Sequence, residues 1–312
     1  MTKLASNSPI PTEGNGMAVA ITGASGLIGT ALATSLTAEG TDVVRLVRRP
    51  ATAPDEVSWD PAKRSVDMKA LADKSITAVV HLAGAGVGDR RWNEEYRRLI
   101  LSSRVDGTAA IAHAVADLPG DPVLISGSAI GYYGDTGTEI VDESGALGDT
   151  FLAHVVRDWE DAAEPARRAG RRVAFIRTGL VASSGGGAFG KMIPIFRKGI
   201  GGRIGSGKQW WSFISIDDEV GAIKFCIHNE IEGPVNLVAP EPVTNAQATK
   251  ALGELLDRPT VLPVPKFALR VALGGFAQEV TMSQGVSPGA LTAAGFQWQH
   301  PTIEQALAAM QL

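Results

Sequence analysis

The sequence predicts an α/β protein built on a doubly wound parallel sheet, with a smaller C-terminal region interleaved with it. Three observations carry that expectation. Short apolar runs without polar alternation recur through the first half of the chain, as in strands buried on both faces. Longer helical stretches separate them, and alternation at this spacing implies right-handed βαβ crossovers. Glycine reaches 36 of 312 residues, well above the roughly 7% of an average chain, and it falls between the apolar runs as punctuation.

The elements follow in order. Residues 1–16 are polar, with scattered Pro and Gly, and read as a leader outside the fold. Residues 17–21 form the first strand, and similar runs stand at 43–47, 78–82, 123–125 and 173–176. Helices are expected over 27–38, over 92–116 with a break near Asp106-Gly107, and over 152–169. Residues 17–182 thus form the larger, doubly wound domain. Beyond that point a glycine-rich stretch surrounds one short helix, 192–198. A helix near 217–228 and a strand near 235–238 return to the main sheet, making 213–239 a return segment. A further helix, 244–256, belongs to the smaller substrate-binding region, 183–312.

Composition narrows the function. The balance of 29 basic and 33 acidic residues gives a net charge of −4, without the basic excess that a non-specific nucleic-acid binder needs. No apolar run approaches the roughly 18 residues of a membrane span, and no secretory signal opens the chain. The single cysteine, Cys226, can form no internal disulfide, and five scattered histidines show no metal-ligand spacing. The expectation is a cytoplasmic protein with a small-molecule partner and no metal, nucleic acid or membrane partner. Oligomeric state has no sequence signature here.

Directly after the first strand, Thr22-Gly23-Ala24-Ser25-Gly26-Leu27-Ile28-Gly29 opens a helix. Gly23 allows a tight turn, Gly26 lets backbone approach a pyrophosphate, and Gly29 lets helix and strand pack closely. The helix N-terminus offers N–H groups and partial positive charge to phosphates. At the end of the second strand an NAD-selective site needs an acidic side chain for the ribose 2′-hydroxyl. This chain has Arg48 and Arg49 there, which suit a 2′-phosphate and point to NADP(H).

The glycine loop combines with His81-Leu82-Ala83-Gly84, with Ser126-Gly127-Ser128-Ala129-Ile130-Gly131-Tyr132-Tyr133-Gly134, with Arg177-Thr178-Gly179 and with the run from Gly205 to Asp218. Together these motifs resemble the extended short-chain dehydrogenase/reductases. More narrowly, the chain resembles an atypical branch, the NAD-dependent epimerase/dehydratase group of family 39U with its C-terminal module. The resemblance runs from Met17 to Leu312. It implies cofactor contacts at Gly23, Ser25, Gly26, Leu27, Ile28 and Gly29, at Leu82, Ala83 and Gly84, and at Arg104, Ser126, Gly127, Thr178 and Gly179.

The family's chemistry uses a Ser with a Tyr-x-x-x-Lys pair, in which the lysine lowers the phenol pKa and the tyrosine exchanges a proton with substrate. Aligning this chain on Trp159-Glu160 puts Leu152 and Val156 at the tyrosine and lysine positions. Both are apolar, and packing is the better reading of that helix face. Ser128 matches the family's serine and is expected to polarise a carbonyl. Tyr132, Tyr133 and Arg104 are the candidates to replace the missing acid, although loop tyrosines often pack and Arg104 is equally a helix-surface charge. His154 faces away from the site, and His81 reads as a capping or packing group. On the substrate side, Lys191, Trp210, Trp211 and Phe213 are candidate contacts, with the tryptophans equally suited to pinning the small region to the large one. Two functions remain open: an NADP(H)-dependent oxidoreductase or epimerase-like enzyme with a degenerate site, and a silent NADP(H)-binding sensor.

Overall fold

A computed structural model describes residues 17–312; the leader assigned to 1–16 lies outside the described residues. The central sheet has eight strands: β1 (Ala18–Thr22), β2 (Asp42–Val47), β3 (Glu56–Asp60), β4 (Ser65–Val66), β5 (Ile76–His81), β6 (Val123–Ala129), β7 (Val173–Thr178) and β8 (Gly233–Leu237). Their order is β8-β7-β6-β5-β1-β2-β3-β4, and every neighbouring pair is parallel except β3–β4. The direction of winding reverses between β1 and β5. In such sheets the crevice beyond the carboxyl ends at that point is where ligands bind.

Strand β1 shows why the sheet is covered on both sides. All five of its residues are buried, and they alternate between two cores. Val19 and Ile21 join Leu32 and Leu36 of helix α1 (Leu27–Ala38) and Ile223 of a helix at Ile216–His228. Ala18 and Ala20 join Ile111, Val115 and Leu118 on the opposite face. These last residues belong to, or directly follow, helix α2 (Glu94–Asp117), which starts on an Asn93 cap that accepts from the Tyr96 N–H. The helix is continuous through Gly107, where the sequence suggests a break. Gly107 is buried, and a Cβ there would lie 3.4 Å from the His81 ring, so the glycine permits close packing of helix on strand end.

The expected helix 152–169 is two helices, α3 (Phe151–Asp161) and a short one at Glu164–Arg168, because Pro165 opens a new first turn. The expected helix 192–198 is longer and starts earlier: α4 (Gly187–Arg197) begins within the glycine stretch, at Gly187 with φ of +64°. Strands β3 and β4 carry too little apolar pattern to stand out in the sequence. Phe213–Ser215 pairs with Leu180–Ala182 outside the central sheet, and the return to that sheet is β8. A third core joins Phe189, Ile193 and Phe196 of α4 to Trp211, Phe213, Leu252, Ile303 and Leu307, so the C-terminal residues close over α4. No helix among the described residues is long and apolar enough to cross a membrane.

Helix α5 (Ile216–His228) buries an acid in its first turn. Glu219 accepts from the Thr178 hydroxyl at 2.7 Å with Oε1, while Oε2 is buried without a partner. Burial pushes this carboxyl up to about 8, so it enters the fold protonated at neutral pH. An unfolded glutamate loses its proton near 4.5; folding stability is therefore full below that pH and declines as pH rises through about 8. Glu219→Gln keeps the shape without the charge. Its melting temperature relative to the native chain should rise with pH, by on the order of 5 °C from acid to mildly alkaline buffer. A pH-independent difference in thermal melts would show an ordinary carboxyl.

Candidate functional site

The phosphate loop has the geometry its spacing suggests. Gly23 sits at φ of +69°, and a Cβ there would meet the Leu82 carbonyl carbon at 2.9 Å. A Cβ on Gly29 would lie 2.2 Å from the Gly23 oxygen, so only glycine allows helix and loop to cross there. Gly26 has only that same oxygen nearby and otherwise opens outward. Helix α1 has no side-chain cap and no acidic residue in its first turn. Its ladder starts at Thr30 N–H to Gly26 O, leaving the N–H groups of Leu27, Ile28 and Gly29 ahead of it. An uncapped twelve-residue helix behind an open glycine cradle fits the pyrophosphate of a nicotinamide dinucleotide.

At the ribose end the two arginines differ. Arg49 forms a fork with Glu56 at 2.8 and 2.6 Å, and those bonds hold the Glu56 carboxyl down to about 2. Arg48 is exposed and makes no ion pair among the described residues. Exposed Ser25 lies at the loop's outer edge.

Beyond β5, the Thr22 hydroxyl accepts the N–H groups of Leu82 and Ala83 at 3.1 and 3.2 Å and donates to His81 Nδ1 at 2.7 Å. This fixes the loop and the His81 tautomer. Burial lowers the imidazole to about 3, so His81 packs as a neutral ring. Arg104 is not a surface charge. It donates to the carbonyls of Ala85 and Ile100, lies 4.9 Å over the Trp159 ring, and is the nearest group to the open face of Gly84. Burial lowers its guanidinium to about 10, which still leaves a cation at neutral pH.

The register of the sheet builds the other side. Ser128 stands beside Arg177, and Arg177 beside Asn236, so the three share one row across β6, β7 and β8. The Ser128 hydroxyl donates to Glu160 Oε1 at 2.6 Å. Arg177 donates to both Glu160 oxygens at 2.9 Å and to the Tyr133 hydroxyl at 2.9 Å, and Tyr133 donates to Asn236 at 2.7 Å. One expectation is corrected. The Tyr133 hydroxyl is spent within this buried network, and burial raises its pKa, so it is a packing group. The Ser128 hydroxyl hydrogen is directed at the Glu160 carboxylate. Tyr132 lays its half-buried ring on the Arg177 guanidinium at 3.5 Å. Leu152 is half-buried and Val156 buried, and exposed His154 points away.

Ser126 is a buried strand residue. Gly127 lets β6 pass His81 O and Trp159, each about 3.0 Å from a Cβ placed there. Thr178 is committed to Glu219, and Gly179 clears the Ser212 oxygen. The substrate-side candidates are mostly structural. Phe213 and Trp211 lie in the third core, that of α4. Trp210 pairs with Thr244 and donates through its ring N–H to Thr138 O. Lys191 reaches the loop after β5, at the Gly88 carbonyl at 2.6 Å and Asp89 at 3.6 Å. The glycines at 185–187 lie against Leu27, so they border the phosphate loop. Glu160 and Asn236 were missed as site residues. Glu160 stood in view beside Trp159, but only the strand register reveals its partners.

Comparison with known proteins agrees with this arrangement. Residues 19–238 match the NAD dependent epimerase/dehydratase family, and residues 264–310 match a domain of unknown function, DUF1731. An epimerase family protein of Mycobacterium bovis is 45% identical over 291 residues, covering 93% of this chain and 96% of its own. Human epimerase family protein SDR39U1 is 35% identical, over 93% and 98%. The crystal structure of its isoform 2 with NADPH superposes with a TM-score of 0.84 at 32% identity, covering 93% of this chain and 98% of that one. A nucleoside-diphosphate sugar epimerase from Corynebacterium glutamicum gives 0.78 at 37% identity, over 95% of this chain and 58% of its own. The chain therefore belongs to the NAD dependent epimerase/dehydratase family, in the company of the SDR39U1 proteins.

Proposed function

We propose that this protein is a cytoplasmic NADP(H)-dependent oxidoreductase of the atypical extended short-chain type, acting on a small carbonyl or hydroxyl compound. The observation that carries the reading is Ser128. It is retained at the carboxyl edge of the sheet and oriented by the Glu160–Arg177 pair, on the same edge as an uncapped phosphate-binding helix. The human relative crystallised with NADPH supports the cofactor, and a buried free cysteine suits a reducing compartment.

The first turn of α1 would hold the pyrophosphate, Arg48 the 2′-phosphate, and the Leu82–Gly84 backbone the adjoining ribose and ring. The cofactor would supply or accept hydride. Arg177 holds Glu160 in place, the Glu160 carboxylate accepts the Ser128 hydroxyl hydrogen bond, and the Ser128 oxygen would then accept a hydrogen bond from the substrate hydroxyl and orient it. Classical epimerisation, which needs two proton transfers at one carbon through the absent tyrosine, is the weaker enzymatic reading. A second reading, an NADP(H) sensor without turnover, is favoured by one observation: apolar Leu152 and Val156 at the tyrosine and lysine positions.

Two outcomes test these readings. NADPH should bind more tightly than NADH in a fluorescence titration; Arg48→Ala should weaken NADPH about tenfold and leave NADH unchanged. Glu56→Gln, which frees the Arg49 fork, should strengthen NADPH. Equal affinities for the two cofactors would remove the preference. Consumption of NADPH against a panel of aldehydes, ketones and nucleotide sugars should occur with the native chain and fall at least about tenfold in Ser128→Ala at unchanged NADPH affinity. Tight NADPH binding without consumption of any panel member would favour the sensor.

A further inference from the structure

Two guanidiniums flank the Trp159–Glu160 step of α3, and they are matched differently. Arg177 grips Glu160 with the Nε–Nη2 edge of its fork, each nitrogen 2.9 Å from one carboxylate oxygen. Arg104 uses only Nη1, which donates to the Ala85 and Ile100 carbonyls at 2.9 and 3.1 Å. Its Nε and Nη2 make no hydrogen bond among the described residues, and neither is sealed from solvent. The side chain is half-buried all the same, with the guanidinium 4.9 Å over the Trp159 ring. The acids of the surrounding elements are engaged elsewhere: Asp89 with Lys191 at 3.6 Å, Asp106 with Arg64 at 2.7 Å, and Glu160 with Arg177. Among the described residues, the titratable group that favours the Arg104 charge is Tyr96, whose hydroxyl is donated to the Gly86 oxygen. His81, which also feels the charge, is neutral. A half-buried cation whose two-nitrogen edge meets solvent suits a planar anion that brings two oxygens.

The fork touches both parts of the site already described. Arg104 Cγ, Cζ and Nη1 each lie 3.5 Å from a Cβ placed on Gly84, the exposed glycine of the loop after β5. The Trp159 ring beneath the guanidinium reaches β6, where its Cζ2 lies 3.0 Å from a Cβ placed on Gly127, the residue before Ser128. Glu160, next in the chain, accepts the Ser128 hydroxyl. One indole thus separates the fork from the serine's strand. Strands β5 and β6 are parallel neighbours, about 4.8 Å apart. A compound of a few carbon atoms can therefore reach from the group beside the end of β5 to the one on β6.

We propose that the Nε–Nη2 edge of Arg104 receives a carboxylate of the substrate, and that this protein takes a short oxo or hydroxy acid whose reacting oxygen lies a few bonds from that carboxylate, at Ser128. The inference rests on the oxidoreductase reading above and narrows its substrate. The carboxylate stays unreacted. It fixes the compound through two charge-assisted bonds, as Glu160 is fixed on Arg177, while Ser128 orients the oxygen at the other end. A neutral aldehyde or ketone of equal length lacks the group that offsets the desolvated cation, so the site discriminates by charge before it discriminates by shape. The bond from Nη1 to the Ala85 carbonyl holds the guanidinium in place for this role at no cost to the free edge.

The test uses the full chain saturated with NADPH and two probes of one shape, oxamate and oxamide, of which only the first carries a carboxylate. Calorimetric titration should give oxamate at least about tenfold tighter binding than oxamide. Arg104→Gln should abolish that difference and leave oxamide and NADPH affinities as they are. Arg104→Lys keeps a point charge able to hold the Ala85 carbonyl but not the two-nitrogen edge, and should retain only part of the preference. In turnover, the ratio of kcat/KM for an oxo acid to that for the aldehyde of equal length should fall at least about tenfold in Arg104→Gln. Equal affinities for oxamate and oxamide, a preference that survives both substitutions, or tighter binding of methyl phosphate than of oxamate would each overturn the proposal. So would a loss of NADPH affinity in Arg104→Gln, which assigns the fork to the cofactor. Selective oxamate binding without turnover of any oxo acid would overturn the oxidoreductase reading alone and leave the carboxylate site standing.

Discussion

A buried ion pair between Glu160 and Arg177 holds the site side of this molecule together. Its two members come from α3 and β7. Through Ser128 the pair fixes the end of β6, and through Tyr133 it fixes the turn that follows. Tyr133 reaches Asn236 on β8, whose backbone N–H donates to Glu143 and whose side-chain amide donates to the Ser287 carbonyl of the C-terminal module. Desolvating two charges is costly, and the pair is sustained because both carboxylate oxygens and three guanidinium nitrogens find partners. Deleting one partner of such a pair typically costs about 3–5 kcal/mol, because the other is left buried and charged. The constraint explains why Ser128 holds a defined position.

Much of the fold was legible because the deciding signals are local. The buried runs at β1 and at Ala78–His81 of β5 and the glycine spacing at 23–29 each report their own backbone environment. Where tertiary contacts decide, the sequence misled. Gly107 reads as a helix breaker, yet it serves the approach of α2 to His81. Phe213 reads as a pocket wall because nothing local distinguishes an aromatic facing a ligand from one filling a core. Arg104 shows the same limit from the other side: a charged residue on a helix looks solvated until the Trp159 ring and two carbonyls are placed around it.

The catalytic residues were the least legible part, for a physical reason. A Tyr-x-x-x-Lys pair is visible because both groups lie on one helical face at fixed spacing. With Leu152 and Val156 read at those positions, the helix carries no such pattern. The described residues bring charged groups to this edge from three other elements. Arg104 brings a buried cation from α2 to the Gly84 loop, Arg177 brings one from β7 to the serine, and Glu279 brings a half-buried acid to the start of α3. None follows the family's spacing.

The C-terminal module is accordingly built into the site and is not an appendage. Residues 282–287 are tied to the larger domain by a series of hydrogen bonds. Ser283 accepts the Trp210 N–H with its hydroxyl, Ser212 donates to the Gln284 oxygen and accepts the Val286 N–H, and Thr136 N–H donates to the Ser283 oxygen. Val286 is fully buried with Tyr133 and Val238, beside the ion pair that positions Ser128. At the module's other end, Phe276 lies 5.3 Å from Trp92, which donates to Val87 in the loop after β5. The module thus touches both the serine network and the Trp92 loop. Its placement depends on hydrogen bonds to the larger domain, which no local pattern in its own sequence encodes.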